Sequence, residues 1–141
     1  MSCLFNSLTK LLQPELQNIP DLRQAVCDEM QNNRQSILEN DSIQEWIVNV
    51  CIDRYNQDDL TDAVIDRYIS EMRSSSTWGG APEIAIISKM FNVDIIVEYS
   101  STNIATFSNH KNEYAPTLYL HWTGGHYTPI RRDESNTCLL R

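Results

Sequence analysis

Residues 82–99, PEIAIISKMFNVDIIVEY, contain the change of periodicity that decides the fold class. Pro82 is a residue favoured in the first turn of a helix. Apolar residues follow it at helical spacing, at Ile84, Ile87 and Met90. Asn92 is typical of the position where a helix ends, and residues 93–99 are rich in β-branched side chains, which favour a strand. The sequence therefore predicts a short helix that leads directly into a strand.

The part of the chain before this stretch is predicted to be mostly helical. Apolar residues recur every three or four positions in four segments, at residues 4–12, 22–30, 43–51 and 60–72. The first helix is expected to begin at Cys3 and to end before Pro14. Asp21 is expected in the first turn of the second helix, a capping box at Ser42 begins the third, and Asp59 caps the fourth.

The part of the chain after this stretch is predicted to form strands. The candidate strands are residues 104–107, 117–122 and 127–131. Gly124 and Gly125 are expected to make the turn between the last two. A helical half followed by a strand half predicts an α+β domain, in which helices pack around a small, mostly antiparallel sheet.

Length and charge limit the number of domains and the class of partner. The 141 residues fit one domain, and no Pro-, Gly- or Ser-rich linker divides them. We assign residues 1–132 to this domain and expect residues 133–141 to be a flexible tail. The formal net charge is −8, and the chain has no cluster of Lys and Arg with which to neutralise phosphates. Nucleic acid is therefore not an expected partner.

The spacing of the cysteines argues against a metal site. Cys3, Cys27, Cys51 and Cys138 are far apart, without a C-x-x-C pair or a histidine at zinc-finger spacing. The chain also lacks a signal-peptide pattern and an uninterrupted apolar run of about 18 residues. We expect a soluble, monomeric intracellular protein, cytoplasmic or nuclear, with reduced thiols, no cofactor and no membrane partner.

Cys3 is the candidate nucleophile. It precedes an amphipathic helix, so its sulfur is expected at a helix N-terminus, where unpaired N–H groups and the helix dipole favour the thiolate. On position alone, a more frequent role for such a cysteine is packing in an apolar core. Both interpretations remain open at this point.

His126 is the candidate general base. It follows Gly124 and Gly125 at the start of a predicted strand, where an imidazole can be presented at the end of a sheet. A solvated turn histidine is the simpler alternative. His121 is a competitor on the preceding strand, but its alternation with Leu120 and Trp122 favours a position on the face of the sheet.

These candidates lie within a pattern that resembles the ovarian tumour (OTU) family of cysteine peptidases. Residues 3–8 (CLFNSL) resemble the nucleophile motif of the family. Residues 68–72 (YISEM) and 78–84 (WGGAPEI) resemble its tyrosine-to-methionine helix and its tryptophan-glycine-glycine-x-x-glutamate signature. Residues 118–122 (LYLHW) and 125–127 (GHY) are similar to the penultimate strand and the catalytic histidine-tyrosine pair. The blocks occur in the family's order, and the tryptophan-glycine block is the most specific.

The resemblance implies an OTU-like, papain-like fold and a thiol-dependent hydrolase. Its Cys3 thiolate would attack the carbonyl after the terminal glycine of ubiquitin or a ubiquitin-like modifier. His126 would take the proton and later protonate the leaving lysine amine. The implied partners are this modifier and its conjugates.

The resemblance also suggests roles for residues around this pair. Thr128 is a candidate orienting group for the imidazole, although a strand residue of high β-propensity is equally expected to be structural. Trp78, Gly79 and Gly80 are candidates for a channel that receives the modifier's narrow tail. The alternative is a turn in which Trp78 is buried in the core. Glu83 is expected to be a helix-dipole partner.

The sequence departs from the family pattern before the cysteine. The pattern places an aspartate, a glycine and one further residue there, where this sequence has only Met1 and Ser2. We therefore expect either a truncated chain or a divergent member. A divergent member without activity would be a ubiquitin-binding or protein-interaction module, and an unrelated helical interaction protein is the third alternative.

Overall fold

The structure, a computed structural model, describes residues 3–16, 18–55, 62–108 and 115–130. Within these ranges the helices are α1 (Cys3–Leu11), a 3-10 turn (Gln13–Leu16), α2 (Leu22–Asn32), α3 (Ile43–Tyr55), α4 (Asp62–Met72) and α5 (Ala81–Phe91). The strands are β1 (Ile37–Leu38), β2 (Asp41–Ser42), β3 (Asp94–Glu98), β4 (Ile104–Phe107), β5 (Thr117–Trp122) and β6 (Tyr127–Ile130).

The helix ends follow local side-chain chemistry. Asp21 caps α2 by accepting a hydrogen bond of 3.2 Å from the backbone N–H of Gln24. Ser42 and Glu45 form the predicted capping box, in which each side chain accepts a hydrogen bond from the other residue's N–H, at 3.1 and 2.7 Å. Asn92 ends α5 in the left-handed conformation, with φ 54°. The predicted capping box and the predicted end of α5 are confirmed, whereas Asp21 lies at the N-cap, one residue before the first turn in which it was expected.

The main sheet has four strands in the order β4-β3-β5-β6. The β3–β4 and β5–β6 pairs are antiparallel, whereas β3 and β5 are parallel neighbours. The sheet is therefore mostly antiparallel, as predicted, and the α+β class is confirmed. Strand β3 lies at the centre, and its Ile95 and Val97 are fully buried.

Helix α5 is the central helix of the domain. All its residues from Pro82 to Ser88 are buried, and it packs against α2, α3, β3 and β4. The helical layer and the sheet therefore share one core. Residues 78–80 lead into the N-terminal end of α5, and Gly79 packs against the first turn of α1.

One element was not predicted from the sequence, and some predictions fall on residues that the structure does not describe. The short β1–β2 hairpin was not predicted from the sequence, because each strand has two residues and no readable alternation. Asp59 and the expected tail at residues 133–141 lie outside the described residues. Among the described helices, none combines the length and apolar character needed to cross a membrane.

Candidate active site

Cys3 and the segment around His126 lie side by side. Cys3 is the first residue of α1 and is half-buried. Its thiol contacts the backbone carbonyl of Gly125, with Sγ 3.8 Å from the oxygen, and the backbone N–H of Tyr127 points to the sulfur at 3.5 Å. The sulfur thus contacts both residues that flank His126. The structure therefore brings the Cys3 sulfur to the backbone on both sides of His126, a residue 123 positions away in the sequence.

The turn that carries His126 has a conformation suited to glycine. Gly124 and Gly125 have φ values of +60° and +121°, which side-chain-bearing residues rarely adopt. The backbone N–H of Thr123 donates to the carbonyl of His126 at 2.9 Å and closes the turn. His126 is exposed at its end. The predicted glycine turn is confirmed.

Ser7 is a site neighbour that the sequence reasoning missed. It lies one helical turn after Cys3, is 4% exposed, and its hydroxyl donates to the carbonyl of Tyr127 at 2.9 Å. Cys3 and Ser7 thus contact the same residue of β6. The spacing of four positions on one helix face is the signal that could have identified it.

Trp78 lies over the glycine turn. A Cβ atom placed on Gly125 would be 3.3 Å from Cη2 and 3.4 Å from Cζ3 of the indole. Trp78 is 54% exposed, so the alternative in which it is buried in the core is wrong. The end of its six-membered ring lies against Gly125, in the turn of residues 123–126 that we call the histidine loop, and more than half of the residue is open to solvent.

Gly79 packs against the first turn of α1. A Cβ atom there would lie 2.7 Å from Cδ2 of Leu4 and 3.0 Å from Cε2 of Phe5. Only glycine allows this approach without displacing the two side chains. A Cβ on Gly80, by contrast, would meet nothing closer than 4.0 Å. The two candidate channel glycines therefore have different local constraints.

Glu83 holds the segment before α5 from within the core. Its carboxylate is fully buried and accepts hydrogen bonds from the hydroxyl of Tyr68 at 2.5 Å and from the backbone N–H of Gly80 at 2.6 Å. The guanidinium of Arg23 is nearby; burial lowers the pKa of Arg23, and the charge of Glu83 partly offsets this effect. Glu83 does lie in the first helical turn, but it does more than complement the helix dipole.

Thr128 and His121 are directly opposite each other. They form a cross-strand pair between β5 and β6, and Thr128 is exposed. Thr128 is the second residue of β6 and His126 directly precedes this strand, so Thr128 and His126 are both at the end of β6 that contacts Cys3. In the ranges that the structure describes, no three His, Cys, Asp or Glu side chains are grouped closely enough to hold a metal ion.

Cys3 differs from the other described cysteines in its exposure. Cys27 and Cys51 are fully buried, and none of the three is in a disulfide. Burial raises the pKa of the Cys27 thiol to about 11, so it stays protonated at neutral pH. Burial also raises the pKa of Tyr127 to about 12, and nearby Tyr99, Glu83 and Cys3 add to the effect. Cys3 is therefore the described cysteine that a reagent in solution can reach.

Comparison with known proteins gives a family match over most of the chain. The model of the family described as OTU-like cysteine protease matches residues 2–128. The chain is 33% identical over 82 residues to a ubiquitin thioesterase OTU1 of Xenopus laevis, a match that covers 55% of this chain and 27% of that protein. It is 26% identical over 141 residues to a ubiquitin thioesterase Otu1 of Drosophila melanogaster, covering 95% of this chain and 34% of the relative. The matches thus span about a third or less of these relatives.

Solved structures match the fold. An OTU domain in complex with ubiquitin has a TM-score of 0.55 and 23% identity, covering 90% of this chain and 62% of that chain. An OTU deubiquitinase from Wolbachia pipientis wMel bound to ubiquitin has a TM-score of 0.56 and 19% identity, covering 92% and 88%. The viral OTU domain protease from Farallon virus has a TM-score of 0.60 and 13% identity, covering 92% and 77%. At these identities the similarity establishes the fold.

Proposed function

The chain belongs to the OTU-like cysteine protease family, and we propose that it is a thiol-dependent deubiquitinase. Its substrate would be the isopeptide bond after the C-terminal glycine of ubiquitin or a ubiquitin-like modifier. The names of its relatives support this class: they include ubiquitin thioesterases, and two of the solved structures with the same fold contain ubiquitin.

The proposed reaction is acyl transfer through a thioester. His126 accepts the thiol proton of Cys3, and the thiolate attacks the carbonyl carbon of the terminal glycine. The C–N bond breaks as His126 returns the proton to the leaving lysine amine. Water, deprotonated by His126, then attacks the thioester carbon and releases the modifier's carboxylate and the Cys3 thiol.

The observation that carries the proposal is the position of the Cys3 sulfur. It contacts the carbonyl before His126 and the N–H after it, at the N-terminus of a helix. The N–H of Tyr127 is directed at the sulfur, and Cys3 lies at the N-terminal end of α1, the positive end of the helix dipole. We propose the first-turn amides of α1 as donors to the negatively charged tetrahedral intermediate, a role in which one donor is typically worth about a hundredfold in rate.

Trp78 is proposed to form one wall of the channel for the modifier's tail. Its exposed indole lies beside Gly125, one residue from His126. A tail that ends in glycine presents flat backbone, which packs well against an aromatic ring. Gly80 is proposed to border this channel, whereas the packing of Gly79 against α1 gives it a supporting position.

Thr128 is proposed as the orienting group for His126. Its exposed hydroxyl is two residues along the chain from the imidazole and can accept a hydrogen bond from it. A hydroxyl stabilises an imidazolium less than a carboxylate does. We therefore propose that Thr128 orients the imidazole ring rather than stabilising its positive charge.

The proposal is tested by labelling with ubiquitin whose C-terminus carries an alkyne electrophile. In a Cys138→Ala background the chain should form a covalent adduct of one ubiquitin, and adding Cys3→Ala should abolish it, because Cys27 and Cys51 are buried. His126→Ala should label at least about tenfold more slowly, since general-base catalysis typically contributes 10²-fold or more. Mass spectrometry of the tryptic peptides locates the modified residue.

Two outcomes would contradict the proposal. Labelling that survives Cys3→Ala would exclude this nucleophile. A folded wild-type chain that binds ubiquitin with an affinity unaffected by Cys3→Ala, but forms no adduct, would instead identify a ubiquitin-binding module. Circular dichroism of each variant establishes that the fold is retained.

A further inference from the structure

Tyr127 is the point at which the sheet meets α1. Strand β6 pairs with β5 on one side and forms an edge of the sheet among the described strands. In an antiparallel pair, successive residues direct their N–H and C=O alternately toward and away from the partner strand. The N–H and C=O of Tyr127 are directed away from β5, because both contact α1. Without α1 these two groups would have no partner within the sheet.

Two side chains of α1 satisfy both groups. The Cys3 sulfur accepts the N–H of Tyr127 at 3.5 Å, and the Ser7 hydroxyl donates to its C=O at 2.9 Å. Residues four apart on a helix lie one above the other on the same face. Their spacing therefore matches the N–H and C=O of one extended residue.

The next outward-facing residue of β6 supports the conclusion that α1 meets the hydrogen-bonding needs of this strand at Tyr127. Pro129 is two positions after Tyr127 and pairs with Leu120. Proline has no N–H, so this position of the edge leaves no donor unpaired. The contact of α1 with the donor and acceptor of β6 is thus concentrated at Tyr127, the residue that follows His126.

We propose that Ser7 is a positioning residue, an inference that rests on the proposed function. By binding the carbonyl of Tyr127, Ser7 fixes the main chain next to His126 and keeps the imidazole in register with the Cys3 sulfur. It also holds the Tyr127 N–H against that sulfur. Ser7 touches neither the substrate nor the reacting atoms, and it acts through the backbone of β6.

The matched control for Ser7 is Ser88. Ser88 is also a buried helical serine, 3% exposed, and its hydroxyl donates to a backbone carbonyl, that of Val93, at 2.6 Å. It lies near the C-terminal end of α5, away from Cys3. Ser7→Ala and Ser88→Ala each remove one buried hydroxyl and should lower thermal stability to a similar extent. A difference between the activities of the two variants then reflects the position of Ser7 beside Cys3 rather than the loss of a buried hydroxyl.

The experiment compares both variants in hydrolysis of ubiquitin joined at its C-terminus to a fluorescent amine. Ser7→Ala should lower kcat at least about fivefold and leave KM within about twofold, because small displacements of reacting groups affect rate more than binding. Ser88→Ala should keep both constants within about twofold of wild type. Equal kcat values for the two variants at equal stability would overturn the proposal.

A second measurement does not depend on ubiquitin. The amide hydrogen of Tyr127, followed by NMR, should exchange at least about tenfold faster in Ser7→Ala than in Ser88→Ala. If the wild-type chain failed to hydrolyse the conjugate, the proposed function would fall, and this exchange rate would still decide the role of Ser7. Unchanged exchange would overturn that role whatever the activity.

Discussion

At the scale of single residues, the site depends on glycines whose neighbours come from distant parts of the sequence. Gly79 allows Leu4 and Phe5 of α1 to approach the segment before α5, and Gly125 allows the indole of Trp78 to lie against the histidine loop. Each glycine thus joins two of the family blocks. The absence of a side chain at these positions is what allows the blocks to converge at Cys3.

Gly79→Ala is expected to destabilise the protein by roughly 1–3 kcal/mol, the usual cost of overpacking a core. The added methyl group would lie 2.7 Å from Leu4 and 3.0 Å from Phe5. Urea denaturation measures the change, with Gly80→Ala as the control, since a methyl group there meets nothing closer than 4.0 Å. Equal losses of stability in the two variants would contradict this account.

At the scale of elements, features that depend on neighbouring residues could be predicted from the sequence, whereas contacts between distant residues could not. The caps at Asp21, Ser42 and Asn92 were predictable, because each depends on residues a few positions away. The parallel pairing of β3 with β5 was not, since it requires knowing on which side of β3 the chain returns. The alternative in which Trp78 is buried in the core was wrong for the same reason, because the surface that its indole contacts belongs to the histidine loop.

The site itself was predictable in outline only. Cys3 and His126 were identified through the family pattern, and the fold brings their segments into contact. The contribution of Ser7 was not predicted, because its spacing of four positions from Cys3 indicates a shared helix face but not the partner of its hydroxyl. Its partner is a backbone carbonyl, and backbone groups leave no trace in the residue types.

Tyr68→Phe tests the connection between α4 and α5. It removes the hydroxyl that donates to the buried carboxylate of Glu83, and we expect a loss of about 1–3 kcal/mol in the free energy of unfolding. Tyr99→Phe is the control, because Tyr99 is 41% exposed and its hydroxyl is expected to contribute within about 0.5 kcal/mol. Chemical denaturation compares the two, and similar midpoints for both would argue against a structural role for the Tyr68–Glu83 pair.

At the scale of the whole molecule, one core supports both the helical layer and the sheet, and ionisable groups are buried within it. Cys27 is the described thiol for which burial has a large effect, with a pKa raised from 9.0 to about 11. Such a group links folding to alkaline pH, because the folded state retains a proton that the unfolded state releases. Stability from this source is complete below pH 9 and is lost as the pH rises toward 11.

The difference between the wild-type protein and Cys27→Ala should therefore depend on pH. Between pH 9 and 11 the wild-type free energy of unfolding should fall by up to about 2 kcal/mol more than that of the variant. The variant also loses packing, but that loss is independent of pH. Urea denaturation under reducing conditions at several pH values measures the difference, and parallel pH curves would exclude the linkage to Cys27.

The edge of the sheet at β6 has a consequence for the behaviour of the protein in concentrated solution. Exposed strand edges invite pairing with strands of other molecules, which leads to aggregation. An incoming strand would find the outward-facing groups of Tyr127 already occupied by α1 and no N–H at Pro129. The contacts that position the candidate nucleophile therefore also close this edge against the addition of a foreign strand.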